Sequence, residues 1–366
     1  MAVKNLSYEC VDAWKSKIQK ETVRISWIGN YYDDEVYDDT ELSAETVDIL
    51  VNKCANVFKE FQLKDKPIIL YLPNVLQLPI TILAALRIGL TFLPITATNE
   101  SIDCLRDIVK NSGADTVVTI DGFWMGTRLI RTKELLDAAI IDIAIQRVIV
   151  IRHVSPDEGI PPPQMNLTGR RPCYMYKVVM KQKRDSWWSG FFQKASSFCK
   201  PEAVPNDSTT LLMPTRSASS TVLLLPISLE ILQMEISRVQ TAIHPDEPNL
   251  IISTKNIFHQ ITCILAALKV GAMPLIYESD IMHPDPSRIS QIIYTYKVAK
   301  LLIAEEDMNL LMEYKQYITL WDLKTLKEIL ILGSHKLCEQ AKKIFGVLCK
   351  NIEPTPIKMA YPHKNY

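Results

Sequence analysis

Ile82–Gly89 reads ILAALRIG and Ile264–Gly271 reads ILAALKVG, and each runs straight into an apolar stretch, LTFLPI after the first and AMPLIY after the second. Both copies have the grammar of a helix end. Small alanines allow close packing, a basic residue in the last turn suits the negative end of the helix dipole, and the glycine supplies the left-handed conformation that stops the helix before a buried strand. Two such units in one chain predict two related α/β lobes, the first over 1–206 and the second beginning at residue 207.

The same alternation extends in both directions. Helical periodicity marks Thr46–Phe61, Ile102–Asn111 and Thr132–Ala138, and short apolar runs mark strands at Pro67–Leu72, Asp115–Ile120 and Val148–Ile151. In the second half Ser290–Tyr296, Ala299–Ile303, Leu323–Lys327, Glu328–Leu332 and Cys338–Val347 continue it. Strands that alternate with helices predict an α/β fold, mainly parallel sheets with helices on both faces. Ser155–Arg171, SPDEGIPPPQMNLTGRR, is a surface loop by composition. Pro67–Ile95 is long and apolar but broken by four prolines, so it reads as strand, loop and packed helix rather than a membrane span.

Charge and cysteine usage exclude several classes. Forty-one basic residues balance 41 acidic ones, which gives no long-range attraction for nucleic acid or anionic lipid. The eight cysteines are scattered, with Cys338 and Cys349 the closest pair at 11 positions apart, so they read as reduced thiols rather than a metal set. No apolar leader opens the chain, and a cytoplasmic location is expected, with the Asn-x-Ser/Thr triplets at Asn5, Asn99, Asn166 and Asn206 unmodified. The six histidines show no metal-binding spacing and read as surface or structural residues. The acidic run Asp33, Asp34, Glu35, Asp38, Asp39 lacks the glycine and terminal glutamate of a calcium loop and reads as a solvated hairpin. Lys177, Lys181, Lys183 and Arg184 beside Trp187 and Trp188 read as packing and ion pairing rather than nucleic-acid stacking.

Landmarks in order along the chain resemble the acetyl-CoA synthetases of the AMP-forming, adenylate-forming enzymes. Asn5–Asp12 (NLSYECVD) is similar to that family's N-x-S-Y-N-C-x-D, Tyr71-Leu72-Pro73 with Ala84–Gly89 to its Y-L-P … A-x-A-R-I-G-A, and Ser101–Ile108 to S-A-E-x-L-x-D-R-I. Thr119–Gly122 stands at its T-A-D-G, Arg184–Trp188 at R-D-x-W-W, Leu268–Ala272 at L-x-N-G-A and Ile331–Ser334 at I-L-G-S. The resemblance implies the large N-terminal domain of these enzymes, with ATP, magnesium and CoA as cofactors. It also implies that the second lobe is incomplete and that the family's mobile lid, with its ribose-binding aspartate and adenylating lysine, is absent.

The positions that carry chemistry in the family match poorly. Its phosphate loop Y-T-S-G-S-T-G-K-P-K-G falls on Met213–Leu223, where only Ser217 is retained. Across Asp207–Pro226, DSTTLLMPTRSASSTVLLLP, there is no glycine to turn backbone amides inward and no lysine; Arg216 is the only cation. R-G-G-K falls on Met125–Arg128, G-W-V-T-G-H on Ile257–Thr262, G-E-P on Lys336–Cys338, and the magnesium-side T-E near His363–Asn365. Losing one donor that faces the growing charge costs about 10²- to 10³-fold in rate, and here several go together. The expectation is therefore a catalytically defective homologue to which no cofactor binds well, with Ser217 the one remnant of a site. It would act through protein interaction, with a competent paralogue as partner and neither nucleic acid nor membrane. The alternative is a weak acetate or short-chain acyl-CoA ligase, or a nucleotide-binding protein.

Overall fold

The computed structural model describes residues 5–32, 37–63, 66–97, 101–155, 177–216, 221–243, 245, 247–252, 256–333 and 335–353. Two seven-stranded sheets dominate. Strands are numbered in chain order. One sheet holds β3 (Ile68–Leu72), β4 (Phe92–Thr96), β5 (Thr116–Ile120), β8 (Arg147–Ile151), β9 (Asp185–Trp187), β10 (Thr209–Arg216) and β11 (Val222–Ser228), in the order β11-β10-β4-β3-β5-β8-β9. The other holds β1 (Val23–Tyr32), β2 (Tyr37–Ser43), β12 (Pro248–Ile252), β13 (Met273–Tyr277), β14 (Lys300–Ala304), β15 (Glu328–Leu332) and β16 (Leu348–Ile352), in the order β16-β15-β14-β12-β13-β1-β2. A small hairpin, β6 (Phe123–Met125) with β7 (Arg128–Ile130), stands apart.

Every pairing in the large sheets is parallel except the two terminal hairpins, β1 with β2 and β10 with β11. The α/β class read from the alternation is therefore what the molecule adopts. Central strands such as β3, β4, β5 and β14 are buried along their whole length, as all-apolar runs covered on both faces must be. The sheets do not follow the division at 206/207. The hairpin β1–β2 from the first half closes the second-half sheet, and β10–β11 from the second half closes the first-half sheet.

The two quoted segments end the helices Gln77–Arg87 and Ile257–Val270, and their glycines take the left-handed conformation, φ +66° at Gly89 and +87° at Gly271. Their basic residues pair inward: buried Arg87 holds Asp12 at 2.6 Å, and Lys269 meets Glu9 at 2.9 Å. Thr46–Phe61, Ile102–Asn111 and Thr132–Ala138 fall within the helices Ala44–Glu60, Ile102–Ser112 and Thr132–Ala139 to within a residue or two. Leu323–Lys327 is no separate element. It forms a turn, with the Leu326 amide donating to the Leu323 carbonyl, because so short a run with two lysines has neither the length to nucleate a helix nor a sheet partner. Among the described residues no helix is long and apolar enough to cross a membrane. Most of the loop Ser155–Arg171 lies outside the described residues.

Candidate functional site

The stretch expected to cradle a phosphate runs along two antiparallel strands, β10 and β11. β10 and β11 stay in register from Leu211↔Ile227 through to Arg216↔Val222, and residues 217–220 between them, Ser217 included, lie outside the described residues. Leu223 and Leu225, on the outer strand, are 51% and 41% exposed, so the hairpin presents apolar side chains to solvent where a polar anion-binding rim would need donors.

Around the ends of β5, β8, β1 and β13 the two sheets meet in a polar seam. Asp121, following β5 and fully buried, accepts from the amides of Gly122 (2.8 Å), His153 (2.9 Å), Val154 (3.1 Å) and Ser155 (2.8 Å) and from the Ser155 hydroxyl (2.5 Å). It thereby shapes the turn after β8. Gly122 must lack a side chain there, since a Cβ would stand 2.7 Å from the Ile130 carbonyl oxygen. The turn presents His153, whose Nε2 meets Glu278 Oε1 at 2.7 Å across the seam, with the Trp27 ring edge-on to the imidazole at 5.9 Å. The second Glu278 oxygen is buried without a hydrogen-bond partner among the described residues. Nearby, Asn30 brackets Gly126: its carbonyl accepts from the Gly126 amide and its amide donates to the Gly126 carbonyl, both at 2.9 Å, while the Ser279 hydroxyl donates to the Asn30 oxygen.

This places the other family positions. Met125–Arg128 forms the β6–β7 turn, with Gly126 at φ +61° and Met125 half-buried. Ile257–Thr262 is the first part of a helix capped by Asn256, whose side chain accepts from the Phe258 and His259 amides, and all six residues are buried. Burial holds the His259 imidazole below the usual histidine range, against the opposing pull of Glu306 and Glu235. Neither amide atom of Gln260 has a hydrogen-bond partner among the described residues. Lys336 is exposed just before Cys338 opens the last helix, and His363–Asn365 lies outside the described residues. Arg184 takes the ion-pairing role expected of it, on Asp185 and Asp137 at 2.5 Å each, and buried Lys133 reaches the same two acids at 2.8 and 2.7 Å. Burial raises the Asp185 carboxyl, but Arg184 and Lys133 outweigh it and the net direction is down. Among the described residues no three of His, Cys, Asp and Glu converge as a metal-ligand set.

The structure brings Thr119–Gly122, Met125–Arg128 and the end of β13 to one seam. Among the described residues, β10 and β11 contribute no group to that seam. Sequence reasoning missed the seam's key pair, His153 with Glu278, because the partners lie 125 positions apart.

The family described as AMP-binding enzyme matches residues 26–215. An acetyl-coenzyme A synthetase of Pyrobaculum aerophilum is 28% identical over 342 residues, covering 90% of this chain and 48% of that protein. One from Coprinopsis cinerea is 25% identical over 343 residues, with 90% and 47% covered. An uncharacterized protein of Caenorhabditis elegans is 34% identical over 126 residues, 31% of this chain and 83% of that one. The chain spans about half the length of the acetyl-coenzyme A synthetases it matches.

Proposed function

The chain belongs to the AMP-binding enzyme family, and from that premise we propose that it is an acetyl-CoA-synthetase-like scaffold that has lost adenylation and works by docking a second protein. One observation carries this reading. The β10–β11 hairpin, where a family member would hold triphosphate, is zipped in register to Arg216↔Val222 and is built from a segment with neither glycine nor lysine. A triphosphate needs several inward-facing amides and matching cations, and a segment without glycine or lysine supplies few of either.

Exposed Leu223 and Leu225 on the outermost strand favour protein contact at the same place, because an apolar sheet edge pairs readily with another chain. A catalytically competent relative is the partner we propose, in the cytoplasm, where the free thiols of Cys10, Cys54, Cys104, Cys199, Cys263, Cys338 and Cys349 would stay reduced. The family match over residues 26–215 favours a second reading, residual ATP or CoA binding with weak acetate or short-chain acyl-CoA ligase activity. Calorimetric titration of the purified chain with Mg-ATP and with CoA, alongside acetate-dependent ATP–pyrophosphate exchange, separates the two. We expect neither a binding isotherm nor exchange above background. Saturable ATP binding with exchange would overturn the proposal and establish the second reading.

A further inference from the structure

One cavity in the described molecule lies far from the seam. It measures about 190 Å³ and sits where the turn Asp12–Trp14, the start of the helix Ala44–Glu60 and the first residues of β1 converge. Arg24 lines it at the beginning of β1, whereas Asn30 of the seam is near that strand's other end, about 20 Å away at the rise of an extended chain.

Arg24 is only 3% exposed and has no acidic partner among the described residues. Its Nη2 donates to the carbonyls of Cys10 (3.2 Å) and Leu268 (2.8 Å), and Nη1 to that of Ala272 at 3.5 Å, so neutral acceptors fix the group while its other donors stay unassigned. Burial lowers it to about 10, which still leaves it charged at neutral pH. Cys10 beside it offers no compensating charge, since burial pushes its thiol up to about 12. The acids at the rim already have cations: Lys15 holds Asp48 at 2.8 Å and Asp12 at 3.2 Å, and Lys20 lies 3.8 Å from Glu45. The cavity is therefore left with one fixed, uncompensated guanidinium. Buried charges are normally paired, and an anion entering this cavity would supply the partner that Arg24 lacks.

The remaining lining is apolar: Val11, Trp14, Ile18, Ala44 and Val47. Trp14 is held rigidly. Its ring rests on Gly271, where a Cβ would come within 2.4 Å, and it lies 5.5 Å from the Arg24 guanidinium. We infer that this cavity binds a small organic carboxylate with an apolar body, the carboxylate on Arg24 and the body against Trp14 and Val47. The volume suits a compact molecule of the size of benzoate or hexanoate and excludes a nucleotide.

The test is calorimetric titration of the full chain with benzoate and with hexanoate, compared with neutral benzyl alcohol and with inorganic phosphate. The carboxylates should bind saturably below about 10 mM, with the neutral analogue weaker by about tenfold and phosphate giving no isotherm. Arg24→Gln should weaken benzoate by about tenfold or more. Because that change also removes three carbonyl contacts, Ala44→Leu provides a second variant that fills the cavity and leaves every polar contact in place, and it should abolish binding. No isotherm with the native chain, equal binding of benzyl alcohol, binding of phosphate as tight as benzoate, or unchanged binding by Ala44→Leu would each overturn the assignment. None of these outcomes depends on whether ATP binds at the β10–β11 hairpin.

Discussion

Arg87 stands at the end of a helix with its side chain 1% exposed, clamping Asp12 bidentately at 2.6 and 3.0 Å and donating to the Cys199 carbonyl at 2.7 Å. Burial raises the Asp12 carboxyl, but the Arg87 hydrogen bonds and charge, with Lys15, outweigh it and hold the carboxyl below its ordinary range. A lowered carboxyl contributes stability that is present above its unfolded value of about 3.9 and lost as pH falls through the folded value. We expect Arg87→Met to cost about 3 kcal/mol at neutral pH, since it leaves a part-buried carboxylate short of its main partner. The acid-side fall in stability below about pH 4 should also become shallower than in the native chain. Urea unfolding at stepped pH measures both effects, and parallel pH profiles for the two proteins would refute the coupling. Arg87 was legible in sequence only as a cation suited to a helix end. That it turns inward to Asp12 was not, because nothing in a linear string reports the path that brings position 12 beside position 87. The same limit hid the His153–Glu278 contact, whereas the poverty of the 207–226 segment in glycine and lysine needed no coordinates.

Helix ends were the most legible elements, because their chemistry is local. Gly89 and Gly271 both take left-handed backbone, as the paired ILAALRIG and ILAALKVG endings predict, and Gly113 does the same at φ +63°. These sites differ in surroundings, which gives a matched test. A Cβ on Gly113 would meet nothing within 4 Å, while one on Gly271 would strike the Trp14 ring at 2.4 Å. Gly113→Ala should cost about 1 kcal/mol, the backbone penalty alone. Gly271→Ala should cost at least about 3 kcal/mol, because ring displacement adds to it. Thermal or urea unfolding decides the matter, and equal costs would mean that Trp14 yields without loss. Less legible were elements whose identity depends on partners. Leu323–Lys327 has the composition of an element but no neighbour to pair with, and the β10–β11 hairpin reads as a loop between apolar runs until Arg216 is seen opposite Val222.

At the scale of the whole molecule, each half of the chain lends a hairpin to the other's sheet. Two repeated α/β units suggest lobes that part at 206/207, yet β1 is hydrogen-bonded to β13 through Ser26↔Leu275, Trp27↔Ile276 and Ile28↔Tyr277, and β10 is paired with β4 through Leu211↔Phe92. The larger of two core clusters follows the same exchange, running from Leu6 to Leu332 through both halves, and the smaller, otherwise drawn from the second half, takes in Ile28 of β1. A cut at 206/207 would strip β10–β11 from one sheet and leave β1–β2 with an apolar edge and no partner strand. We therefore expect the full chain to unfold in a single transition, and the fragments 1–206 and 207–366 to be unfolded or aggregated when produced separately but to recover native-like circular dichroism when refolded together. Calorimetry of the intact chain and dichroism of the separate and mixed fragments check this. Two resolved transitions, or a fragment that melts cooperatively alone, would show that the exchanged hairpins are ornaments on two self-sufficient lobes rather than the links that make them one folding unit.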